Sequence, residues 1–238
     1  AWVCDQCHAP DAIIKDGTIY LYYTGVIIGD RAYTTAVAIS SDHGKTWTYK
    51  YVDIVGDEGG AGRFFDPDVV LLEDGTFRMY FVSGLPRSLF YAESSDGITY
   101  DYKGRLFSPS EDEITHPTVM NIGDAWHLYA LSEDNAHRVW FLTSTNGINF
   151  EMYSMTSFPM EGVPATPSNA LWVDDRFHLF LFDHKETIES QWSKNGLDWY
   201  PDAGTRLSPV DEETSVSDPT VVKLDDGRYL MFYVTNIP

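Results

Sequence analysis

The sequence predicts an all-β fold, a five-bladed β-propeller with about four antiparallel strands in each blade. A motif with an X-Pro step followed by apolar residues recurs five times, at Pro10, Pro67, Pro117, Pro167 and Pro219. The spacings of 57, 50, 50 and 52 residues are in the range of a blade built from one four-stranded sheet. Helical periodicity is absent, and aromatic residues make up 15% of the 238 residues, enough for a substantial core.

Each repeat predicts its strands in a fixed order. The inner strand is expected to begin at the X-Pro step, because proline is tolerated at the first residue of a strand. Asp-Gly pairs at 16–17, 74–75 and 226–227 then predict turns into aromatic-rich second strands. A third strand precedes a turn with Asx or His before Gly, and a fourth strand lies on the rim. The four copies of this turn occupy residues 40–47, 94–100, 144–150 and 193–199. We expect the aromatic residue that closes each copy to pack between blades.

We expect one domain over residues 1–238, since no linker or low-complexity stretch interrupts the chain. The predicted blades span about 8–56, 57–106, 107–157, 158–208 and 209–238. Only 19 residues follow Pro219, enough for two strands. The fifth blade is therefore expected to be incomplete, or closed by residues 1–7. The alternative is a natural chain that continues beyond Pro238.

The formal net charge of −20 argues against nucleic acid and anionic membranes as partners, because both attract positively charged surfaces. It fits a protein that binds a neutral or cationic small molecule or an oligosaccharide. The alternative, that the acidic surface only aids solubility, stays open. No apolar run reaches the length needed to span a bilayer.

Cys4, Cys7 and His8 have the C-x-x-C-H spacing of c-type haem attachment. A local disulfide or two free thiols are the favoured alternatives, because no second axial ligand is identifiable. The chain begins at Ala1, which is compatible with removal of a secretory signal. We therefore expect an extracellular or periplasmic protein without haem.

The inner strands of a propeller surround its axis, so polar residues near the X-Pro steps should converge from five directions. In order they are His8 and Asp11; Arg63, Asp66 and Asp68; Glu113 and His116; Glu161, Thr166, Ser168 and Asn169; and Ser217 and Asp218. Carboxylates crowded in a funnel shift each other's pKa, as acid/base catalysis requires. The alternative for each Asp-Pro step is a turn in which the carboxylate caps backbone N–H groups.

The Asp-Pro steps, Asp-Gly turns and aromatic second strands resemble the five-bladed family-43 glycoside hydrolases, arabinanases and xylosidases, with the related fructan-cleaving enzymes. The resemblance implies an inverting mechanism with an aspartate base, an aspartate that tunes pKa, and a glutamate acid. Asp218-Pro219 is similar to the family's base, and Asp66-Pro67 to the pKa-tuning aspartate. Glu113 is the expected acid, although it lies farther from its proline than in the family, and Glu161 is its rival. The first repeat departs from the pattern, with Ala9 before Pro10.

The other polar residues near the axis are expected to bind substrate: Asp11, Asp68, Arg63, His8, His116 and Asn169. No cofactor is required. A calcium or transition-metal ion held by His8 and His116 with Asp66 and Asp218 is conceivable, but hydrogen-bonded structural histidines are favoured.

Two other functional classes stay open. A non-catalytic carbohydrate-binding or scaffold propeller would suit the degraded catalytic pattern. A sialidase would suit the segment 40–47, which fits an Asp-box turn, but sialidases need three convergent arginines and only Arg63 precedes an inner strand.

Overall fold

The computed structural model describes residues 6–27, 32–56, 64–110, 112–133, 138–160, 163–183, 187–211 and 214–236. These residues form twenty strands and no helix, which confirms the all-β prediction. None of the described segments is a helix able to cross a membrane.

The strands form four large sheets and one small sheet. The first contains β1 (Gln6–Lys15), β2 (Thr18–Ile27), β3 (Ala32–Ser40) and β4 (Thr48–Tyr51). The second contains β5 (Asp53–Val55), β6 (Phe65–Leu71), β7 (Phe77–Ser83), β8 (Ser88–Ser94) and β9 (Thr99–Phe107). The third contains β10 (Ile114–Ile122), β11 (Ala125–Ser132), β12 (Val139–Ser144) and β13 (Glu151–Thr156). The fourth contains β14 (Phe158–Met160), β15 (Val163–Val173), β16 (Arg176–Phe182), β17 (Ile188–Ser193) and β18 (Tyr200–Pro201). The fifth contains β19 (Ser215–Lys223) and β20 (Tyr229–Asn236).

Consecutive strands within each sheet pair antiparallel, as expected for a propeller blade. The exception is β5, which pairs parallel with β9. This strand precedes the expected start of the second blade at residue 57, yet it extends the second sheet. The hydrogen bond from the Asp53 N–H to the Ile98 carbonyl anchors it there.

The fifth sheet has two strands in the described part of the chain, so four complete blades are seen and the count of five is not confirmed. The expectation that residues 1–7 add a strand to this sheet is wrong for Gln6 and Cys7. These two residues pair with Val26 and Gly25 of β2, because β1 continues outward past its bulge. Residues 1–5 lie outside the described part.

The prolines do not begin the inner strands, contrary to the sequence expectation. Pro67, for example, lies inside β6, where the register shifts between Phe65 and Asp68. Similar shifts lie at the prolines of β1, β10 and β19, whereas in β15 Pro167 pairs with Leu181 and the shift follows it. In the other four strands the proline is unpaired within the bulge, so its missing N–H costs no ladder hydrogen bond.

Buried tyrosines of second strands join neighbouring sheets through the glycine carbonyls of the predicted turns. The Tyr22 hydroxyl donates to the Gly97 carbonyl at 2.9 Å, and the Tyr80 hydroxyl to the Gly147 carbonyl at 2.8 Å. Tyr129 makes the same bond to Gly196. The aromatic residues that close these turns, Tyr100, Phe150 and Trp199, contact the same tyrosines edge-on. Their expected packing between blades is confirmed.

The inner strands contact one another in a closed order: β1, β6, β10, β15, β19 and again β1. The five sheets are therefore arranged around one axis, the β-propeller arrangement that the repeat predicted.

Candidate active site

Four of the five residues that precede the repeated prolines have a left-handed backbone. The φ angles are 45° at Ala9, 50° at Asp66, 49° at His116 and 49° at Asp218. This conformation is uncommon for residues other than glycine, and a following proline further restricts the backbone. Strained backbone of this kind is often concentrated at functional sites. The bulges maintain it here at one end of the central channel, which we call the mouth.

At the mouth the side chain of His116 lies between two carboxylates. Its Nε2 is 3.3 Å from Asp218 Oδ1, and its Nδ1 is 3.7 Å from Asp66 Oδ2. The His116 backbone N–H also donates to Asp66 Oδ2 at 3.1 Å. The exposed fractions are 27% for the His116 side chain, 11% for Asp66 and 10% for Asp218. The structure thus brings together three of the predicted site residues, from β6, β10 and β19.

The charges in this cluster reinforce one another. Burial by itself lowers the pKa of His116, but the Asp66 and Asp218 carboxylates outweigh burial and raise that pKa from 6.5 to about 9. Burial would raise the pKa of Asp218, but the contact with His116 and the hydrogen bond from Ser217 Oγ at 2.6 Å lower it overall. At neutral pH the centre of the mouth therefore holds an imidazolium beside an ionised Asp218.

Asp66 is fixed from the first sheet as well. Its backbone N–H donates to Thr24 Oγ1 at 2.8 Å. Thr24 belongs to β2, and nothing in the repeat motif singled it out. Only the contact between two sheets reveals its role.

Below the mouth, the side chains that follow the prolines form a second layer, which we call the inter-sheet ring. Asp11 Oδ2 accepts the Val69 N–H at 2.7 Å, and Asp68 Oδ1 accepts the Val119 N–H at 3.3 Å. Each carboxylate therefore caps the backbone of the next inner strand.

The ring continues through the fourth and fifth sheets. Asn169 Oδ1 accepts the Val221 N–H at 3.0 Å, and Thr220 Oγ1 accepts the Ala12 N–H at 2.9 Å. The last bond joins β19 to β1 and returns to the start of the chain. Thr118 occupies the corresponding place in β10, but its buried hydroxyl has no hydrogen-bond partner among the described residues. The sequence did not predict Thr118 and Thr220 as members of this ring. They follow a proline, as Asp11 and Asp68 do, but they are not carboxylates.

Burial dominates the electrostatics of this ring. It raises the pKa of Asp11 from 3.8 to about 7, against the hydrogen bonds from Val69 and Asn169. Burial, followed by the charge of Asp11, also holds the pKa of Asp68 well above its usual range. Asp11, Asp68 and Asn169 are almost fully buried, with exposed fractions of 4%, 5% and 7%. Their polar atoms therefore bond to the neighbouring sheets and not to solvent. Their predicted role in substrate binding stays a prediction.

Three members of the ring, Asp11, Asp68 and Asn169, line a cavity of about 520 Å³ between the inner strands. The rest of its wall is mostly apolar, with the polar side chains of Glu73, Asn121 and Lys223.

Glu113 lies outside this cluster of three. Its Oε2 is 3.5 Å from Arg87 Nε, and its Oε1 accepts the Arg87 backbone N–H at 3.3 Å. Arg87 also binds Glu133 at 2.8 Å. The role of Glu113 as the general acid stays a prediction.

The remaining predicted residues lie apart or outside the described chain. His8 lies on β1 and is among the charges that lower the pKa of Asp218. It lines a groove of about 790 Å³ between the first and fifth sheets, together with Tyr23, Trp47, Tyr49 and Tyr233. Arg63 and Glu161 lie outside the described residues.

The cysteine and metal predictions meet different outcomes. Cys7 is disulfide-bonded, which matches the local-disulfide interpretation, while residue 4, the other cysteine, lies outside the described part. Among the residues that the structure describes, no group of three or more His, Cys, Asp or Glu side chains could hold a metal ion. A central calcium ion stays a prediction.

Comparison with known proteins identifies the family. The sequence pattern of the glycosyl hydrolases family 32 N-terminal domain matches residues 4–200. The chain belongs to this family. The resemblance to the propeller glycoside hydrolases is thereby confirmed. No curated protein matches the sequence of this chain.

Solved structures share the fold of this family-32 N-terminal domain. A thermostable family-43 glycoside hydrolase superposes with a TM-score of 0.77 at 14% identity, covering 97% of this chain and 84% of that one. An α-L-arabinofuranosidase from Lactobacillus brevis gives 0.70 at 12% identity, with 95% and 82% covered. A β-xylosidase/α-arabinofuranosidase from a compost microbial metagenome, in complex with xylotriose, gives 0.69 at 15% identity, with 95% and 84% covered. At such identities the likeness concerns the fold.

Proposed function

We propose that this domain hydrolyses a glycosidic bond of a neutral oligosaccharide at the mouth of the propeller, with Asp218 and Asp66 as its central carboxylates. The observation that carries the proposal is the cluster of Asp66, His116 and Asp218. These residues come from three sheets, have strained backbones, and keep part of their surface open at the end of the channel.

We propose an inverting mechanism with Asp218 as the base and a glutamate as the acid, the pair of carboxyl groups that inversion requires about 6.5–9.5 Å apart to admit a water molecule.

Asp218 is the proposed general base. A base must be ionised at the working pH, and His116 and Ser217 lower the pKa of Asp218. Asp218 would accept a proton from water as the water oxygen bonds to the anomeric carbon. Asp66, fixed by Thr24 and His116, is proposed to orient the sugar. The glutamate that protonates the leaving oxygen stays a prediction.

We also propose that the propeller has five blades. Support comes from the closed order of the five inner strands and from the Thr220 to Ala12 hydrogen bond, which joins the fifth sheet to the first. The two-stranded fifth sheet is then the inner half of a blade.

The ligand class and location follow from charge and chemistry. A net charge of −20 does not favour anionic ligands, and the groove beside His8 is lined with aromatic rings that fit the apolar faces of sugars. One relative of this fold was crystallised with xylotriose. A disulfide at Cys7 favours an oxidising compartment, so we propose an extracellular or periplasmic location. No cofactor is needed for this chemistry.

The test is hydrolysis of a panel of aryl glycosides and of arabino-, xylo- and fructo-oligosaccharides, with and without Ca²⁺. Asp218→Asn should lower kcat/KM roughly 10²–10⁴-fold, the usual contribution of a general base. Asp202→Asn is the matched control, because Asp202 also pairs with a histidine, His178, at 2.9 Å on the fourth sheet. Full activity of Asp218→Asn would overturn the assignment. Saccharide binding by the wild type without hydrolysis of any substrate would favour the non-catalytic alternative.

A further inference from the structure

We propose that Tyr33 and Phe65 form a sugar-binding subsite at the rim of the mouth, which holds the sugar unit next to the bond that is cleaved. The inference rests on the proposed glycosidase function and deepens it, because it names residues that bind the substrate without taking part in the reaction. The ligand of this subsite is a neutral sugar ring. Neither residue was predicted as part of the site, since the sequence singled out only polar residues near the prolines.

Contacts between the first two sheets place Tyr33 beside the mouth. Val26 pairs with both Gln6 and Tyr33, so Tyr33 lies level with the first residue of β1, at the mouth end of the strands. Side chains alternate along a strand, and Tyr33 therefore shares a face of β3 with Thr35. Thr35 Oγ1 donates to the Phe64 carbonyl at 2.9 Å. This face of β3 is thus turned towards the start of β6.

Tyr33 and Phe65 form an aromatic wall at this point. Their ring centroids are 5.7 Å apart, and the rings are tilted by 44°. Tyr33 is 42% exposed, and Phe65 is half-buried. The C–H face of a sugar ring is apolar and covers the kind of rigid apolar area that an aromatic side chain offers. The wall can therefore bind a sugar by stacking.

The wall adjoins the proposed site of reaction. Phe65 directly precedes Asp66, whose carboxylate lies at the mouth and is proposed to orient the sugar that is cleaved. A sugar unit held at Asp66 therefore brings the next unit of an oligosaccharide close to the two rings. Binding energy from such a neighbouring unit can lower the barrier to cleavage, because it helps to fix the reacting unit in place.

Arg87 secures the wall from the second sheet. Its guanidinium carbon lies 5.4 Å from the centre of the Phe65 ring, a cation–π contact. The guanidinium is held in turn by Glu113 at 3.5 Å and by Glu133 at 2.8 Å. Phe65 thus contacts Tyr33 of the first sheet and a fixed cation of its own sheet. A ring that is already oriented loses little side-chain entropy when a ligand binds.

The charges beside the wall favour a neutral sugar. Two carboxylates, Glu113 and Glu133, pair with the single guanidinium of Arg87, so the charge of this group is negative. A sugar carboxylate would be repelled there, and the net charge of −20 adds to the repulsion. Sugar hydroxyls meet no such repulsion and can donate hydrogen bonds to carboxylates.

The test is calorimetric binding of neutral arabino-, xylo- and fructo-trisaccharides. It is carried out in the Asp218→Asn background, which limits hydrolysis during the measurement. Adding Tyr33→Ala should weaken the binding of the preferred trisaccharide roughly 2–10-fold, the usual effect of losing one aromatic contact. Tyr33→Phe keeps the ring and should bind as the parent does. With Asp218 intact, Tyr33→Ala should lower kcat/KM for the same trisaccharide by a similar factor.

The matched control is Tyr153→Ala. Tyr153 is 63% exposed and contacts a phenylalanine ring, Phe141, at 5.0 Å, but it lies on β13 of the third sheet. Its removal should leave trisaccharide binding unchanged. Thermal unfolding of both alanine variants checks that they are folded. Equal weakening by Tyr153→Ala and Tyr33→Ala would overturn the proposal, because the effect would then not belong to the mouth.

The remaining outcomes separate this inference from the proposed function. Unchanged binding in Tyr33→Ala would overturn the subsite even if glycosides are cleaved. Weaker binding in Tyr33→Ala, without hydrolysis of any glycoside by the wild type, would support sugar binding at this wall and overturn the glycosidase proposal alone. Tighter binding of trigalacturonate, an anionic trisaccharide, would overturn the neutral ligand. Failure of every trisaccharide to bind would overturn both proposals.

Discussion

Asp11 offers a direct test of the inter-sheet ring, because its burial has opposite consequences for two substitutions. The Asp11 carboxyl is 4% exposed, and burial raises its pKa from 3.8 to about 7. The folded protein therefore holds this proton up to about pH 7, whereas the unfolded chain releases it near pH 4. Since the folded state binds more protons, the contribution of Asp11 to stability falls as pH rises through this window.

The size of the effect follows from the pKa. At about 1.36 kcal/mol per pKa unit, the rise from 3.8 to about 7 corresponds to a destabilisation of about 4 kcal/mol at pH 8 and less than about 1 kcal/mol at pH 4. Asp11→Asn mimics the protonated carboxyl and keeps an oxygen for the Val69 N–H. We expect this variant to be about 2–4 kcal/mol more stable than the wild type at pH 8, and close to it at pH 4.

Asp11→Ala separates the hydrogen bond from the charge. At pH 4, where the charge matters little, it leaves the buried Val69 N–H without its acceptor and should cost about 1–3 kcal/mol. The assay is urea unfolding at pH 4, 6 and 8, with the free energy of unfolding extrapolated to water. Asp101→Asn, at a side chain 76% exposed, is the control and should change little at any pH. The reasoning is refuted if Asp11→Asn fails to gain stability over the wild type between pH 4 and pH 8.

Two further predictions concern the seams between sheets. In Gly196→Ala the new Cβ would lie 2.6 Å from His127 Nδ1 at a φ of +69°, so we expect the free energy of unfolding in urea to fall by about 2–4 kcal/mol. Gly123→Ala has a similar φ of +65° but no neighbour within 4 Å, and its free energy of unfolding should fall by only about 1–2 kcal/mol. Equal losses in the two variants would contradict the steric argument. Thr220→Val removes the acceptor of the buried Ala12 N–H and should lower the free energy of unfolding by about 1–3 kcal/mol. Thr220→Ser keeps the hydroxyl and should retain most of that stability. A valine variant as stable as the wild type would show that this bond does not secure the closure of the ring.

Much of the architecture could be predicted from the sequence because each repeat is a continuous segment of the chain. The prolines mark each inner strand, and the Asx-Gly turns mark hairpins through backbone requirements that a short segment expresses. The same information predicted the convergence of Asp66, His116 and Asp218, since the residues before the prolines occupy equivalent places around one axis. Position in the repeat placed them in a larger set of candidates that also held Glu113 and Glu161.

The repeat could not distinguish the mouth from the ring. Asp66 and Asp68 are two positions apart on one strand, and both were expected to serve the site. The bulge at Pro67 separates them, so that Asp66 meets His116 while Asp68 caps the Val119 N–H. Strand bulges depend on pairing with the neighbouring strand, which composition and spacing do not record.

The sequence by itself determined the all-β class, the five repeats and a larger set of polar residues near the prolines, to which Asp66, His116 and Asp218 belong, because each repeat marks its own proline. Only the tertiary structure decided how these residues act. The contact of Glu113 with Arg87, the position of His116 between two carboxylates and the buried contacts of Asp11 all join residues from different strands or sheets. The pKa values of His116 and Asp11 are shifted by burial and by neighbours that are distant in the chain, and both effects depend on distance in space.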